Sequence, residues 1–144
     1  MIIKIKQLRK DLNLPKYETQ HAAGMDLAAS IDEPVKLAPL QRKRIPCGFS
    51  ISLPNGYEAQ IRARSGMSLK HGITMVNGVG TVDADFRGEV AVLLINLSNE
   101  EFIIEPGMRI AQMIVAKYER VDWQEVSELD KTERGKGGYG STGH

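Results

Sequence analysis

The sequence predicts an all-β protein, built as a sandwich, a barrel or a jelly roll. Segments of branched and apolar residues recur at intervals of roughly eight to twelve residues. Turn signals such as Pro54-Asn55-Gly56 separate these segments. Helical periodicity is not sustained anywhere, and only one short helix is predicted, at Ser68–His71. These three observations favour many short strands over a helical or α/β chain.

The individual strands follow from alternation and from residue type. Apolar and charged residues alternate with a period of two at the amino terminus. The mostly apolar segment from Glu89 to Leu97 predicts a buried strand. The last apolar segment fits a helix or a strand, and its branched residues favour a strand. Asn77-Gly78 lies between two short apolar runs and predicts a hairpin. The predicted strands lie within residues 1–8, 35–54, 57–62, 72–83, 89–97, 101–106 and 109–121.

The composition sets limits on what the protein does. The chain has 144 residues and a net charge of +1, which suits one domain and argues against a nucleic-acid or membrane-surface role. Cys47 is the only cysteine, which excludes an intrachain disulfide and suits a reducing cytoplasm. No signal peptide or spanning segment is expected, so Asn96-Leu97-Ser98 is interpreted as an accidental glycosylation pattern. A cytoplasmic protein is therefore the expectation.

The carboxyl-terminal segment differs from the rest of the chain. Residues 1–131 are predicted as the β domain, and residues 132–144 as a mobile glycine-rich tail with few apolar side chains. Gly135, Gly137 and Gly140 match the letters of a dinucleotide fingerprint, but no helix can follow them. Such a tail is either disordered or wraps a polyphosphate, with Tyr139 stacking on a base.

Three further groups of residues suggest chemistry, and each has a plain structural alternative. Asp83 and Asp85 are expected on one side of a strand, as a metal or base pair or as two solvated turn residues. The run Arg62-Ala63-Arg64-Ser65-Gly66 suits a phosphate or is a charged strand end. Asp26 lies between apolar residues and is expected to be paired, in a structural role. Together these groups indicate a nucleotide.

The chain resembles the homotrimeric deoxyuridine triphosphatases, the dUTPases. Five motifs of that family occur in order across nearly the whole chain. They are AGMDLAA at 23–29, RARSGMS at 62–68, NGVGTVDADFRGEV at 77–90, GMRIAQMIV at 107–115 and RGKGGYGSTG at 134–143. Five ordered motifs are more specific than any one of them.

The resemblance implies a jelly roll assembled as a homotrimer, with three active sites shared between chains. It implies hydrolysis of dUTP to dUMP and pyrophosphate with Mg²⁺, which keeps uracil out of DNA and supplies dUMP for thymidylate synthesis. The magnesium ion is expected on the triphosphate and its waters, without a direct side-chain ligand. Asp26 would then support the water shell or the site architecture.

The resemblance also assigns roles to residues of this chain. Asp83 corresponds to the catalytic aspartate that activates water for in-line attack on the α-phosphorus and holds the sugar 3′-hydroxyl. Asn77 and the backbone near Thr81 and Val82 would select uracil, and Phe86 would lie under the deoxyribose. The phosphate contacts would come from Arg64, Ser65, Gly66 and Gln112 and, in the tail, from Arg134, Gly140, Ser141 and Thr142, with Tyr139 on the base. Arg109 would be structural or supportive.

Two positions depart from the family pattern. Phe86 stands where Tyr is usual and keeps the ring, so exclusion of UTP is expected to survive. Tyr139 stands where Phe is common and stacks equally well. The rival interpretations are a dCTP deaminase on the same fold, a non-catalytic nucleotide-binding protein and an RNA-binding tail. A deaminase would need a glutamate base, and Glu89, the only nearby candidate, is expected to be poorly placed.

Overall fold

The computed structural model describes residues 1–139, and this part of the chain is an all-β jelly roll with one short helix. Every strand pairing is antiparallel. The elements are β1 (Lys4–Gln7), β2 (Met25–Ala28), β3 (Val35–Leu37), β4 (Arg42–Pro46), β5 (Phe49–Ser52), β6 (Tyr57–Arg62), α1 (Ser65–His71), β7 (Ile73–Met75), β8 (Gly80–Val82), β9 (Ala91–Asn96), β10 (Phe102–Ile104) and β11 (Arg109–Lys117). The predicted all-β fold is confirmed.

Two larger sheets and two strand pairs organise the fold. The four-stranded sheet has the order β2-β11-β6-β8, and the three-stranded sheet has the order β4-β9-β7. Strand β1 pairs with β5, and β3 pairs with β10. Most neighbours are distant in sequence, as is usual where strands cross between sheets. The long β11 therefore lies at the centre of the larger sheet, between an early strand and a middle strand.

The core comes from the inward-facing residues of alternating strands. In β5, Phe49 and Ile51 are buried while Ser50 and Ser52 are half-buried. In β9, Val92 and Leu94 are buried and Leu93 between them is exposed. This period of two is what a sheet with one covered face requires. The fully buried apolar side chains include Leu27, Leu37, Ile45, Ile61, Ile73, Val90, Val92, Leu94, Ile104 and Ile110.

Most element predictions are confirmed, and two need correction. The strand predicted at 57–62 has those bounds, the last apolar segment is β11, and the predicted helix begins three residues earlier, at Ser65. The hairpin predicted at Asn77-Gly78 is wrong, because β7 pairs with β9 whereas β8 pairs with β6. The turn is real, but it carries the chain from one sheet to the other. The alternation at the amino terminus gives β1, yet all four of its residues are exposed.

Within residues 1–139, no helix has the length and apolar character that a membrane span requires.

Asn96 is the buried polar side chain that joins three parts of the fold. It is fully buried, and its Nδ2 donates to the carbonyl oxygens of Leu37 at 2.8 Å and Glu100 at 2.7 Å. Its Oδ1 accepts from the backbone N–H and the hydroxyl of Ser98 at 2.8 and 2.7 Å. A fully satisfied buried amide of this kind stabilises a loop, whereas partial satisfaction is costly. The same burial leaves the Asn96 side chain inaccessible to a glycosylating enzyme.

We expect Asn96→Ala to lower the free energy of unfolding by about 2–4 kcal/mol, because two carbonyl groups and the Ser98 donors lose their buried partner. Chemical denaturation at fixed protein concentration measures this change. Asn99→Ala is the matched control, since Asn99 is exposed three residues away. Equal stability of the two variants would contradict the assigned role of Asn96.

Cys47 is predicted to be unreactive in the folded protein. It is 6% exposed, and burial, with a smaller contribution from the charge of Glu89, raises the pKa of its thiol to about 12. The reactive thiolate is therefore scarce at neutral pH. A thiol reagent should modify the denatured chain fully and the folded chain very slowly. Rapid modification of the folded protein would show that the Cys47 region opens readily.

Candidate active site

The carboxylate of Asp26 holds two guanidinium groups at one corner of the four-stranded sheet. Its Oδ1 lies 3.2 Å from Nε of Arg64, and its Oδ2 lies 2.9 Å from Nη1 of Arg109. Arg64 also donates from Nη1 to the Arg109 carbonyl at 3.0 Å. The expectation that Asp26 is paired is therefore confirmed. Two cations share one anion, so the cluster keeps an excess positive charge that suits an anionic ligand.

The sheet register brings these three residues together although they are far apart in sequence. Gln112 of β11 is the partner of Asp26 in β2 on one side and of Arg62 in β6 on the other. Arg64 follows β6 by two residues, so it lies at the same end of the sheet. The register between β11 and β2 shifts between Arg109 and Ala111, which marks a bulge. Bulges of this kind re-aim a side chain, and here Arg109 points towards Asp26.

Gln112 lies beside this cluster and is fixed by a backbone contact. Its Nε2 donates to the Ala63 carbonyl at 3.2 Å. Its Oε1 lies so close to Gly24 that a Cβ there would be only 2.6 Å away. Gly24 therefore leaves the space that the Gln112 amide occupies.

Two further residues expected to bind phosphate, Ser65 and Gly66, lie at the start of α1. Ser65 and Gly66 are exposed first-turn residues of this helix, and the space where Gly66 would carry a Cβ is open. The first N–H groups of a helix have no intrahelical acceptor. The fold thus brings Arg64, Ser65, Gly66 and Gln112 to one end of the sheet, near Asp26.

A second group of residues lines a pocket of about 260 Å³ along the edge strand β8. All five residues predicted for uracil, sugar and catalysis lie on its wall: Asn77, Thr81, Val82, Asp83 and Phe86. Val82 is buried and the other four are exposed. The exposed Asp83 carboxylate is therefore accessible to a molecule in this pocket.

The predicted alternation of Asp83 and Asp85 is wrong. Strand β8 ends at Val82, and the Phe86 N–H donates to the Asp83 carbonyl at 3.2 Å, which closes a turn over residues 83–86. Strand geometry therefore does not place the two carboxylates on one side. Asp83 lines the pocket and Asp85 does not. Both carboxylates are exposed, as the alternative of two solvated turn residues predicts.

Two charged residues on the pocket wall were not assigned to the site from the sequence. Arg44 lies in β4 and reaches the pocket from the neighbouring sheet, where its strand partner is Leu93. Glu89 is half-buried, and its Oε1 accepts from the Gly48 N–H at 3.0 Å. Glu89 thus lies on the same pocket wall as Asn77 and Phe86, with one oxygen occupied by the backbone. Arg44 has no local signal in the sequence, because its place depends on which sheets face each other.

The two groups lie at diagonal corners of the four-stranded sheet. Strands β2 and β8 are its opposite edges, which are three strand spacings or about 14 Å apart. Along the strands, Asp26 is level with Arg62, whereas Asp83 lies beyond Val82, the partner of Ala59. Three or more residues at about 3.4 Å each add at least 10 Å. The arginine cluster and the Asp83 carboxylate therefore do not form one compact site within a chain.

The tail contacts neither group in the part that the structure describes. Arg134 donates from Nε to the Gly137 carbonyl at 2.9 Å, and Gly137 N–H donates to the Arg134 carbonyl at 3.0 Å. Tyr139 is fully exposed. The predicted tail contacts Gly140, Ser141 and Thr142 lie outside the described residues. The described tail residues form local turns with one another.

Among residues 1–139, no three carboxylate, histidine or cysteine side chains converge closely enough to hold a metal ion. The Asp26 carboxylate lies beside the residues expected to bind phosphate, and both of its oxygens contact arginines. These carboxylate oxygens fit a contact with metal-bound water, since each keeps lone-pair capacity. The donor set is compatible with a magnesium ion that a polyphosphate carries with it.

Comparison with known proteins identifies the family of the chain. Residues 10–143 match the family model described as dUTPase. The deoxyuridine 5′-triphosphate nucleotidohydrolase of Rickettsia prowazekii is 58% identical over 142 residues, which cover 98% of this chain and 96% of that protein. The corresponding protein of Rickettsia felis is 56% identical with the same coverage.

Solved structures show the same fold. A variant of Staphylococcus bacteriophage 80alpha dUTPase with dUpNHpp superposes with a TM-score of 0.89 at 24% identity and covers 99% of both chains. A variant of the dUTPase from phage phi11 of S. aureus, described with a structural Mg(II) ion, gives 0.81 at 19% identity over 91% of this chain and all of that chain. Because the family model matches residues 10–143 and a Rickettsia relative is 58% identical, the chain belongs to the dUTPase family.

Proposed function

We propose that the protein hydrolyses dUTP to dUMP and pyrophosphate by in-line attack of water on the α-phosphorus. The observation that carries this proposal is the pocket that gathers Asn77, Thr81, Val82, Asp83 and Phe86, the residues expected to select uracil and deoxyribose and to activate water. Family membership and the dUTPase names of the relatives support the substrate. The reaction removes dUTP, the source of uracil in DNA, and supplies dUMP for thymidylate synthesis.

Asp83 is proposed as the group that orients and deprotonates the attacking water. Its exposed carboxylate lies on the pocket wall, at the end of β8, where a water and a sugar 3′-hydroxyl can reach it. A carboxylate accepts the proton as the oxygen–phosphorus bond forms and the bond to the pyrophosphate leaving group breaks. Positioning of the water relative to the phosphorus supplies much of the effect.

The pocket is proposed to select uracil through the amide of Asn77 and the backbone groups near Thr81 and Val82. Uracil presents a carbonyl acceptor where cytosine presents an amino donor. A donor facing a donor leaves both groups without a partner in a desolvated site, which discriminates strongly. The Phe86 ring is proposed to lie under the deoxyribose and to exclude a 2′-hydroxyl.

The phosphates are proposed to bind at the arginine cluster, with Arg64 as the main guanidinium and Ser65, Gly66 and Gln112 around it. The ion pair with Asp26 orients Arg64 before the ligand arrives, so less side-chain freedom is lost on binding. Bound magnesium would neutralise charge on the triphosphate as the pyrophosphate leaves. Asp26 is the residue proposed to contact its water shell.

A homotrimer with three shared sites is proposed because the two groups of residues lie so far apart in one chain. If the Asp83 pocket of one chain faces the arginine cluster of a neighbour, base and phosphates can be bound at the same time. Tyr139 is fully exposed among residues 1–139, which supports a tail that covers a site elsewhere in the assembly. Arg134, Gly140, Ser141 and Thr142 would then contact phosphates and Tyr139 would stack on uracil.

Product analysis with Mg²⁺ and each of dUTP, dCTP, dTTP and UTP tests the function. We expect dUMP and pyrophosphate from dUTP alone. Asp83→Asn should lower the rate about 100- to 10,000-fold, the usual contribution of a general base. Asp85→Asn is the matched control, because it removes the same charge two residues away, outside the pocket.

Three results would contradict the proposal. Formation of dUTP or dUMP from dCTP would show a deaminase, with Glu89 as the next residue to replace. Tight dUTP binding without turnover would show a nucleotide-binding protein. Equal activity of the Asp83→Asn and Asp85→Asn variants would remove Asp83 from the mechanism.

A further inference from the structure

The ring of Phe86 lies against the backbone of Gly88. A Cβ built on Gly88 would lie 2.5 Å from Cζ and 2.9 Å from Cε2 of Phe86. Real Cβ atoms do not approach other atoms so closely, so any larger residue at position 88 requires the ring or the backbone to move. The contact involves the far end of the ring, which is the part that extends over Gly88.

The requirement for glycine at position 88 comes from the ring and not from the backbone angle. Gly88 has no φ in the left-handed region, unlike Gly72 and Gly78, so alanine fits the backbone there. The nearest atoms to its Cβ position all belong to Phe86. The missing side chain of Gly88 therefore provides the space in which the ring lies.

Hydrogen bonds on both sides of Gly88 fix the loop around the space in which the ring lies. The Arg87 guanidinium donates from Nη1 to the carbonyl oxygens of Ala84 at 2.7 Å and Phe86 at 2.8 Å. Beyond Gly88, the Glu89 carboxylate accepts from the Gly48 N–H, and the Val90 N–H donates to the Phe49 carbonyl at 2.9 Å. The loop is thus closed on itself at one end and bound to the β4–β5 turn at the other.

We propose that Gly88 is a positioning residue for nucleotide selection: the absence of its side chain sets the place of the Phe86 ring on the pocket wall. This inference rests on the proposed function of the pocket. Phe86 lines the pocket and Gly88 does not. A side chain at position 88 therefore displaces the ring from its place on the pocket wall, beside the space proposed for the deoxyribose.

A double-mutant cycle with Gly88→Ala and Phe86→Leu tests the proposal. Leucine lacks the Cε and Cζ atoms that meet the Gly88 position. In the wild-type background, Gly88→Ala should lower kcat/KM for dUTP about tenfold, mainly through KM, because a displaced ring obstructs the sugar. In the Phe86→Leu background the same change should have less than about a twofold effect, since no ring is left to displace.

The alternatives give different results. An equal loss in both backgrounds, or no loss in either, would overturn the assignment, because Gly88 would then act on the backbone or not at all. If Gly88→Ala fails to fold while the double variant folds, the clash through the ring is supported. If Gly88→Ala and the double variant both fail to fold, the assignment of Gly88 is overturned.

Crystal structures of the wild type and of Gly88→Ala separate this proposal from the proposed function. A ring that leaves its place in the variant supports the positioning role, and an unmoved ring with a shifted backbone overturns it. Neither crystallographic result depends on catalytic activity. Wild-type protein that releases no dUMP from dUTP would instead refute the proposed function and leave the packing result standing.

Discussion

The pairing of β11 with both β2 and β6 is the constraint on which the site depends. It places Asp26, Gln112 and Arg62 in one row across the larger sheet, although the first two are 86 positions apart in the printed sequence. The bulge in β11 then directs Arg109 towards Asp26, and the end of β6 delivers Arg64 to the other carboxylate oxygen. A slip of one residue in this register would turn each of these side chains to the opposite face. The cationic corner is therefore a product of sheet geometry.

The same sheet also keeps the Asp83 pocket away from that corner. Strand β8 is the edge farthest from β2, and it runs so that its carboxyl end points away from Arg64. A chain folded in this way holds the Asp83 pocket, proposed for the base and sugar, at one corner and the arginines proposed for the phosphates at the other. This geometry gives a physical reason for the proposed sharing of sites between chains. A symmetric assembly can bring unlike corners of neighbouring copies together and repeat that contact around a closed ring.

Local features of the chain were predictable, whereas the pairing of distant segments was not. Alternation identified β6 and branched residues identified β11. The residues Asn77, Thr81, Val82, Asp83 and Phe86, expected to form one site, lie on one pocket wall. The predicted hairpin at Asn77-Gly78 failed because a favourable turn sequence does not say which sheet receives the next strand. The alternation of Asp83 and Asp85 failed because β8 ends one residue earlier. Arg44 was missed because contacts between sheets leave no local pattern.

Mixed assemblies of two inactive variants test the shared site most directly. Asp83→Asn and Arg64→Ala chains are coexpressed with different tags, and assemblies that contain both are purified. Each variant alone should be nearly inactive. If the two corners come from different chains, about one third of the sites in the mixed trimers should be intact, since one of the three contacts in each trimer joins the unmutated corners of the two variants. Activity no higher than that of the separate variants would contradict this account and place both groups of one chain in the same site.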